Sequence, residues 1–458
     1  MKQMINSISC VGYRGFAIKQ TLHLAIPDGN PGSGLTMLVG PNGGGKSTII
    51  ECFNKIATKK SATFSKGKRN LRAGNSVTIE INVDGQIGVL KTIKHGTQTE
   101  WTGPDVPKIY HLPSRRSFNP YFGTTEWSRD TYLEQQKSAQ FRSSSLDLYT
   151  SRLMNLNKKG SEAFDEMLER ILGYPLKWTI DQEDNGQYIV DITKLDGAHH
   201  NSDGMGEGTL SLMFIVDALC GNDDEIVVID EPELSLHPQL QLRLLKEILN
   251  KTKTSQVVIS THSPNLLSLE SIANKGMVAR VFDSPNGTTI CEIDDRSRKF
   301  VVSTFHNIHN PHILGTDARS CFFAEDKLII TEGQEDVILY PEIISQLGKD
   351  VDIPFFGFGA GGAGNIIEVA HLLYNLGFKK IGAIYDGNKR KDYEKFNSEF
   401  SSKDYKAWII PADDIRDKEA KELKAENGLM DKDKKYVKEE YKDKLSSMFN
   451  EIETFLKV

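Results

Sequence analysis

Nearly continuous apolar runs alternate with amphipathic segments through much of the chain. The runs at 35–39, 226–230 and 256–260 have the composition of parallel strands that are buried on both faces. The segments 47–58 and 239–250 instead place apolar residues three and four positions apart, which is the spacing of an amphipathic helix. This order of strand, helix and strand predicts an α/β domain with a parallel sheet.

Three further patterns lie within the first 300 residues. Residues 5–12 are rich in apolar side chains and predict a strand, and the alternation over residues 76–94 predicts a β-hairpin. Residues 127–175 are polar, with apolar residues at helical spacing, and predict a helical insertion. We therefore expect a first domain over residues 1–300 that contains this insertion.

A second α/β rhythm begins near residue 326. In chain order, its predicted elements are a strand (327–331), a helix (337–347), a strand (353–358), a helix (365–377) and two strands (380–386 and 406–411). The segment 301–325 has no clear period and is predicted to be a linker. The tail from residue 412 is charged, and a solvated pair of helices is its simplest interpretation. We expect a second domain over residues 326–458 with a charged helical C-terminus.

Composition places the chain among globular proteins. Its 458 residues are 38% hydrophobic and 26% charged, and no apolar run reaches the ~18 residues that span a bilayer. The first residues lack the apolar core of a signal peptide, so we expect a cytoplasmic protein without a membrane partner. The net charge of -6 excludes a globally basic coat for nucleic acid but permits a local basic groove. The five cysteines are scattered singly, which favours reduced thiols over disulfides or a zinc site.

A complete phosphate-binding loop, Gly-Pro-Asn-Gly-Gly-Gly-Lys-Ser, occupies residues 40–47 between a predicted strand and a predicted helix. Glycines allow backbone N–H groups to surround phosphate oxygens, and the helix N-terminus adds partial positive charge. Lys46 supplies a cation to the β- and γ-phosphates, and Ser47 supplies a hydroxyl to Mg²⁺. The predicted nucleotide contacts are Asn42, Gly43, Gly45, Lys46, Ser47 and Thr48.

Two acids, Asp230 and Glu231, end the apolar run at 226–230. Asp230 is suited to hold Mg²⁺ together with Ser47, and Glu231 is suited to act as the general base that polarises the attacking water. An apolar run that ends in acids is common by itself. After a complete phosphate loop, however, it indicates nucleotide hydrolysis.

Two more segments extend this pattern. Ser202 and Gly204 lie in the sequence Ser-Asp-Gly-Met-Gly-Glu shortly before the acidic strand, and His262 follows the next predicted strand. Together with the phosphate loop, the acidic strand and residues 234–238, they resemble the ATPase head of ABC-type proteins, with its signature loop, switch histidine and D-loop. The opening strand resembles that of the SMC/RecF-like group, and the resemblance covers roughly residues 5–285.

This resemblance implies ATP as the ligand and a head-to-head dimer, in which Ser202 and Gly204 of one head contact the nucleotide of the other. The signature is irregular, because Ser-Asp-Gly-Met-Gly-Glu replaces Leu-Ser-Gly-Gly-Gln. His262 acts as the switch histidine in this interpretation, and the alternative is a structural histidine. The candidates for the Q-loop are Gln135 and Gln136, and Arg115 and Arg116 either approach phosphate or form a surface pair.

Acids also follow two predicted strands of the second domain. Glu332 and Asp336 come after the strand at 327–331, and Asp386 ends the strand at 380–386. The carboxyl ends of parallel strands meet at one edge of an open α/β sheet, where ligands bind. Clustered carboxylates are costly there unless they hold a divalent metal. The sequence therefore predicts a metal site.

This layout resembles a TOPRIM domain, which has a Glu-Gly motif and an Asp-x-Asp motif one βαβ unit later. The resemblance implies that Glu332, Asp336 and Asp386 bind Mg²⁺ or Mn²⁺, and that Glu332 and Asp386 are catalytic. Asn388 stands where the second aspartate of the motif is usual. Its carbonyl oxygen can bind the metal, but it adds no charge.

Residues near this motif offer the charge that Asn388 lacks. Asp413 or Asp414 can supply it, and the alternative for either residue is an ordinary helix N-cap. Lys418, or alternatively Lys389, is the candidate that stabilises the leaving phosphate.

The order of these parts resembles the OLD (overcoming lysogenization defect) nuclease family over most of the chain. The expected fold is an α/β ABC-type ATPase domain with a helical insertion, followed by a Rossmann-like TOPRIM domain with a parallel sheet. The resemblance implies an ATP-binding, metal-dependent nuclease that cuts DNA or RNA in bacterial defence against phage, and of the two substrates we expect DNA. It also implies a homodimer or a higher homo-oligomer through the ATPase heads, and it permits a second defence-system component.

Two other functions stay open at this point. The first is a non-cleaving ATPase sensor or scaffold whose altered TOPRIM domain binds nucleic acid or a partner protein, as Asn388 allows. The second is a repair ATPase of the RecF kind, which leaves Glu332 and Asp386 unexplained.

Overall fold

In a computed structural model of the chain, two β-sheets enclose the helix that follows the phosphate loop. The structure describes residues 2–59, 62–93, 96–114, 162–182, 188–193, 197–201, 205–221, 223, 225–307, 313–323, 326–401, 404–418, 427–431 and 433–457. The strands in these ranges are β1 (Ile5–Val11), β2 (Gln20–His23), β3 (Leu35–Val39), β4 (Thr78–Val83), β5 (Gln86–Thr92), β6 (Thr99–Thr102), β7 (Ile109–Leu112), β8 (Lys177–Gln182), β9 (Tyr188–Thr193), β10 (His199–Asn201), β11 (Ile226–Asp230), β12 (Val257–Ser260), β13 (Met277–Ser284), β14 (Gly287–Glu292), β15 (Lys327–Ile330), β16 (Lys380–Tyr385), β17 (Tyr405–Ile409), β18 (Asp414–Arg416) and β19 (Gly428–Met430).

Helices lie between several of these strands and after the last one. They are α1 (Lys46–Thr58), α2 (Glu162–Leu172), α3 (Glu207–Leu219), α4 (Pro238–Lys251), α5 (Leu269–Ala273), α6 (Asp295–Phe305), α7 (Thr316–Ser320), α8 (Gln334–Gln346), α9 (Ala363–Asn375), α10 (Arg390–Glu399) and α11 (Glu439–Lys457). Within the described ranges, no helix combines the length and the apolar character needed to cross a bilayer.

The central sheet has the strand order β14-β13-β3-β12-β11-β7, and only β14 runs antiparallel to its neighbour. Its strand β11 is buried along its whole length. Val227 and Ile229 belong to the core that contains α3 and α4, whereas Ile226 and Val228 belong to the core that contains α1. This burial from both sides explains the continuous apolar run and confirms the predicted parallel α/β sheet.

A second sheet, with the order β2-β1-β4-β5-β6, covers the other side of α1. The predicted strand at 5–12 is β1, and the predicted hairpin at 76–94 is the antiparallel pair of β4 and β5. Ile49, Phe53 and Ile56 of α1 share a core with Ile8 of β1 and Ile79 of β4. The helix that carries Lys46 is therefore held between two sheets.

The predicted helical insertion falls only partly within the described residues. Helix α2 lies inside it, and the rest of the prediction, up to residue 161, is outside the described ranges. Phe164 and Leu168 of α2 pack in the core of α3 and α4, and the Trp178 indole donates a hydrogen bond to Asp165 at 2.7 Å. The C-terminal end of the insertion thus packs against the central domain.

The C-terminal part is built on the parallel sheet β15-β16-β17, as the sequence predicts. The predicted strand at 353–358 is wrong, because only Phe355 forms a bridge, to Ile329 of β15. The tail also differs from a solvated helical pair. It contains the short parallel strands β18 and β19 and then α11, whose apolar face, with Leu445 and Phe449, is buried.

The segment 301–325, which is predicted to be a linker, instead contains helices and buried side chains. Helix α6 extends into this segment, α7 lies within it, and Val301 and Phe322 are only 1% and 2% exposed. Both side chains belong to a core that also contains Ile229 of the central sheet and Ile381 of β16. The apolar residues of this segment therefore join the two parts of the chain, and the boundaries of the two domains stay a prediction.

We expect Phe322→Ala to lower the free energy of unfolding by about 3–5 kcal/mol, because it opens a cavity in the shared core. Phe305→Ala is the matched control, since Phe305 lies in the same segment and is 43% exposed. It should change the free energy of unfolding by less than about 1 kcal/mol. Urea unfolding measures both variants, and small effects for both would indicate a plain linker.

Candidate nucleotide and metal sites

The phosphate loop follows β3 and rests against β13. Gly40 and Gly45 have φ angles of 126° and 106°, in the left-handed region that favours glycine. A Cβ atom at Gly40 would lie 2.3 Å from the carbonyl oxygen of Val281, and one at Gly44 would lie 2.4 Å from the same atom. Only glycine permits this close approach, so the contact with β13 fixes the shape of the loop.

Lys46 is buried beneath the loop, whereas Asn42 and Gly43 form its exposed rim. The Lys46 Nζ donates hydrogen bonds to the carbonyl oxygens of Gly40 at 2.8 Å and Pro41 at 2.9 Å. Burial lowers the pKa of Lys46 to about 8, although the carboxylates of the acidic strand act in the opposite direction. A desolvated cation in this position favours an anionic ligand at the loop.

The residues predicted to hold Mg²⁺ meet at this point. Ser47 Oγ donates a hydrogen bond to Asp230 Oδ1 at 3.2 Å, and Ser260 Oγ donates to the same carboxylate. The next residue, Thr48, accepts a hydrogen bond from Arg14 Nη1 at 3.4 Å. A hydroxyl and a carboxylate are oxygen donors of the kind that Mg²⁺ prefers. This donor set, beside a glycine loop, fits a nucleotide with Mg²⁺.

Glu231 and His262 face each other beside this donor set. The Glu231 Oε1 atom lies 3.6 Å from His262 Nε2, and the backbone of Glu231 has a φ angle of 49°, which is strained for a residue with a side chain. Burial and the nearby charge of Lys46 lower the pKa of His262 to about 4. His262 is therefore a neutral imidazole near pH 7 and contacts the candidate base.

Glu233 also belongs to this site, and the sequence analysis missed it. Its Oε1 accepts a hydrogen bond from the backbone N–H of His262 at 2.6 Å, and burial raises the pKa of its carboxyl group. The contact holds the segment after β12 against the segment after β11. The only signal in the sequence is a second acid two positions after Glu231. Its role cannot be inferred from the neighbouring residues, because its partner follows the distant strand β12.

Ser202 and Gly204 of the signature prediction and the Q-loop candidates Gln135 and Gln136 lie outside the described residues, as do Arg115 and Arg116, the candidates for a phosphate contact. Of the D-loop prediction, Ser235 has a φ angle of 62°, and its Oγ donates a hydrogen bond to Glu207 Oε2 at 3.3 Å. Glu207 is the first residue of α3. The D-loop is thus joined to the start of the helix that follows the signature segment.

Glu332 and Asp386 come together at the carboxyl ends of β15 and β16, as the sequence predicts. The two strands are parallel neighbours, and the backbone N–H of Asp386 donates a hydrogen bond to Glu332 Oε1 at 3.0 Å. Asp336 lies in the first turn of α8, where its Oδ2 accepts a hydrogen bond from the N–H of Gly333 at 2.9 Å. Asp336 and Asp386 are 6% and 9% exposed.

Burial and mutual repulsion make these carboxyl groups harder to ionise than carboxyl groups in water. Burial is the largest cause in each case, and it raises the pKa of Glu332, of Asp336 to about 7 and of Asp386 to about 9. Neighbouring carboxylates, including Asp414, raise the same pKa values further. Each of these acids therefore favours either a proton or a bound cation.

Asp414 is the acid that the structure brings to this group, since it is 4% exposed, whereas Asp413 is exposed. The helix N-cap interpretation is wrong, because Asp414 begins strand β18. Lys418 forms an ion pair with Asp414, so this lysine also lies beside the acids. Asn388 is exposed, and its backbone N–H reaches the Asp413 carbonyl oxygen at 3.5 Å.

The chemistry of these residues suits a divalent cation, because Glu332, Asp336, Asp386 and Asp414 offer buried oxygen ligands. Among the described residues, however, no group of three or more His, Cys, Asp or Glu side chains is arranged in a geometry that could hold a metal ion. Metal binding here requires the side chains to turn toward a common point.

The raised pKa of Asp386 makes stability depend on pH. Between its ordinary value of 3.8 and about 9, Asp386 carries a proton in the folded state but not in the unfolded state. We expect the free energy of unfolding of the metal-free protein to fall as pH rises through this range, by up to about 1.4 kcal/mol per pH unit. Asp386→Asn should reduce this slope, and Asp413→Asn should not. Equal slopes in wild type and Asp386→Asn would contradict the assignment.

Comparisons with known proteins relate the chain to an ATPase family and to nucleases. Residues 95–268, which include Asp230, Glu231 and His262, match the family described as "AAA domain, putative AbiEii toxin, Type IV TA system". Endonuclease GajA of Bacillus cereus is 24% identical over 160 residues, which cover 33% of this chain and 24% of GajA. OLD nuclease of Thermus scotoductus is 30% identical over 133 residues, which cover 28% of this chain and 24% of that protein.

A third relative aligns over a longer stretch. Septu protein PtuA of Bacillus thuringiensis is 22% identical over 286 residues, which cover 53% of this chain and 69% of PtuA. The SMC head domain from Thermotoga maritima covers 63% of this chain and 99% of its own at 13% identity, with a TM-score of 0.38. The alignments with GajA and OLD nuclease span about a quarter of those proteins. The chain is thus similar to endonuclease GajA and OLD nuclease, and its residues 95–268 match an AAA domain family.

Proposed function

We propose that the chain is an ATP-hydrolysing, divalent-metal-dependent nuclease that acts on DNA. The observation that carries this proposal is the hydrogen-bonded pair of Glu332 and Asp386 at the ends of neighbouring parallel strands, with Asp336 and Asp414 beside it. The names of its relatives, endonuclease GajA and OLD nuclease, support the same activity. In this proposal the C-terminal part is a TOPRIM domain.

At the nucleotide site, each residue has one task. Lys46 Nζ binds β- and γ-phosphate oxygens in exchange for the loop carbonyl oxygens that it now contacts. Ser47 and Asp230 hold Mg²⁺, which neutralises phosphate charge when it is bound. The carboxylate of Glu231 accepts a proton from the attacking water, and neutral His262 stabilises that arrangement from 3.6 Å away.

At the acidic site, the carboxylates would hold a divalent cation in place of the protons that they carry in its absence. When bound, a divalent ion there would activate the attacking water and stabilise the leaving oxygen. Glu332 and Asp386 hold this ion, while Asp336 and Asp414 add the charge that Asn388 does not supply. Lys418, which now pairs with Asp414, lies close enough to this group to offset charge on the phosphate.

The biological setting belongs to the same proposal. The ATPase heads form a homodimer or a higher oligomer, and the protein acts in the cytoplasm in bacterial defence against phage. The similarity to Septu protein PtuA is consistent with a second component of such a system.

A second candidate function is a non-cleaving ATPase that binds nucleic acid or a partner protein. Two observations favour it: Asn388 is uncharged and exposed, and the described residues contain no ready-made metal-ligand group. A plasmid-cleavage assay with Mg²⁺ or Mn²⁺ and ATP separates the two functions.

We expect Lys46→Ala to weaken ATP binding and to abolish hydrolysis, because it removes the buried cation beneath the loop. Glu231→Gln should keep ATP binding and lower turnover by at least about 100-fold, because it removes the proton acceptor. Equilibrium binding of a fluorescent ATP analogue and phosphate release measure the two effects. Wild-type turnover in Glu231→Gln would show that another residue is the base.

We expect Asp386→Ala to abolish plasmid cleavage and to leave ATP hydrolysis at saturating ATP within about twofold of wild type, because the acids lie on a different sheet. Asn388→Asp distinguishes two forms of the site. It should raise cleavage if the site lacks one charge, and it should lower cleavage if Asp414 already completes the site. Equal cleavage by wild type and Asp386→Ala would exclude this nuclease site, and Asp413→Asn serves as the exposed control.

A further inference from the structure

Arg280 of β13 is completely buried where the central sheet meets the C-terminal part. Its Nη2 donates a hydrogen bond to Asp326 Oδ1 at 2.7 Å, and its Nη1 donates to the Leu376 carbonyl oxygen at 3.4 Å. The guanidinium carbon lies 4.0 Å from the ring centroid of Phe378 and 4.8 Å from that of Phe282. A buried arginine is costly unless an opposite charge pairs with it, so the ion pair with Asp326 and the two aromatic rings hold this guanidinium in place.

These partners lie at the starts of the strands that end at the acidic site. Asp326 directly precedes β15, and Glu332 follows the end of that strand. Phe378 lies two residues before β16, and Asp386 directly follows β16. Arg280 therefore fixes the positions of two short strands, of four and six residues, at the ends opposite the acids.

Further hydrogen bonds join these strand starts to each other. The backbone N–H of Lys380 donates to the Asp326 carbonyl oxygen at 3.0 Å, which sets the register of β16 against β15. The Tyr405 hydroxyl, at the start of β17, donates to the Phe378 carbonyl oxygen at 2.8 Å. A displacement at Arg280 would consequently move the starts of β15, β16 and β17 together.

The residue after Arg280 contacts the phosphate loop. The Val281 carbonyl oxygen is the atom that limits the space at both Gly40 and Gly44. In the register of β13 with β3, Arg280 itself pairs with Val39, the residue before the loop. One short stretch of β13 thus contacts the nucleotide site on one side and the starts of the acidic strands on the other.

We propose that Arg280 is a positioning residue that couples the phosphate loop to the pair Glu332 and Asp386. A nucleotide at the loop shifts β13 through Val281, and Arg280 passes the shift to β15 and β16. Coupling of this kind is reciprocal, so ATP and the metal at the acids change each other's affinity by the same factor, of about 5 to 150. The inference rests on the proposed function only in requiring that both sites bind their ligands, because it needs no cleavage.

The test measures binding to the full chain. Mn²⁺ is titrated with and without a non-hydrolysable ATP analogue, and the Mn²⁺ population that Asp386→Ala removes reports on the acidic site. The analogue is then titrated with and without that Mn²⁺. In Arg280→Met the two coupling factors should both fall to about 1, while each ligand alone keeps its affinity within about threefold. Loss of coupling while both separate affinities are retained is a result that a merely structural role of Arg280 would not produce.

Two further variants keep the test decisive. Asp326→Asn retains an acceptor for Arg280 but removes the charge, so it should lower coupling even if Arg280→Met does not fold. Arg296→Met is the matched control, since Arg296 binds Glu368 and Glu399 at a partly exposed place in the same contact region, and it should keep wild-type coupling. Full coupling in Arg280→Met or Asp326→Asn would overturn the inference but not the proposed function. Binding at both sites without coupling in wild type would do the same. Absence of binding at either site would overturn the proposed function and the inference with it.

Discussion

Both candidate sites depend on one geometric constraint, which is that neighbouring parallel strands end at the same edge of a sheet. In the central sheet only β12 separates β3 from β11, so the loop after β3 comes close enough for Ser47 to bond Asp230. In the second sheet β15 and β16 are adjacent, and the N–H of Asp386 reaches Glu332. Since buried cores fix the strands, packing far from the chemistry determines where these functional groups lie.

The same burial has opposite electrostatic consequences at the two sites. Lys46 loses water among carboxylates of opposite charge, which limits the fall of its pKa to about 8. Asp386 loses water among other acids, so burial and repulsion act together and raise its pKa to about 9. A cation that binds the acids must therefore displace protons, and its affinity rises with pH. The nucleotide site is ready for a charged ligand, whereas the acidic site must first exchange protons for metal.

The features that the sequence predicts well are those in which local spacing carries the chemistry. The phosphate loop, the acidic strand and the acids after β15 and β16 each occupy one short stretch, and the order of strands and helices places those stretches together. Features that depend on distant partners were missed or wrong. Glu233 has meaning only through the backbone of His262, and the buried place of Asp414 depends on β18. Val301 gave no periodic signal because its helix packs between two parts of the chain.

The shared core limits how the two parts can communicate. A plain linker would allow the C-terminal part to move as an independent rigid body, and no packed contact would then connect the two sites. Here buried side chains of α6 and the segment after it belong to one core with β11 and β16, and Arg280 has no exposed surface. Close-packed interiors resist large relative motions and respond through small shifts of packed elements. A change at the phosphate loop can therefore reach the acids only as a strand displacement that is small compared with the distance between neighbouring strands. Because β15 and β16 have only four and six residues, a displacement at their first residues can reach the acids at their other ends.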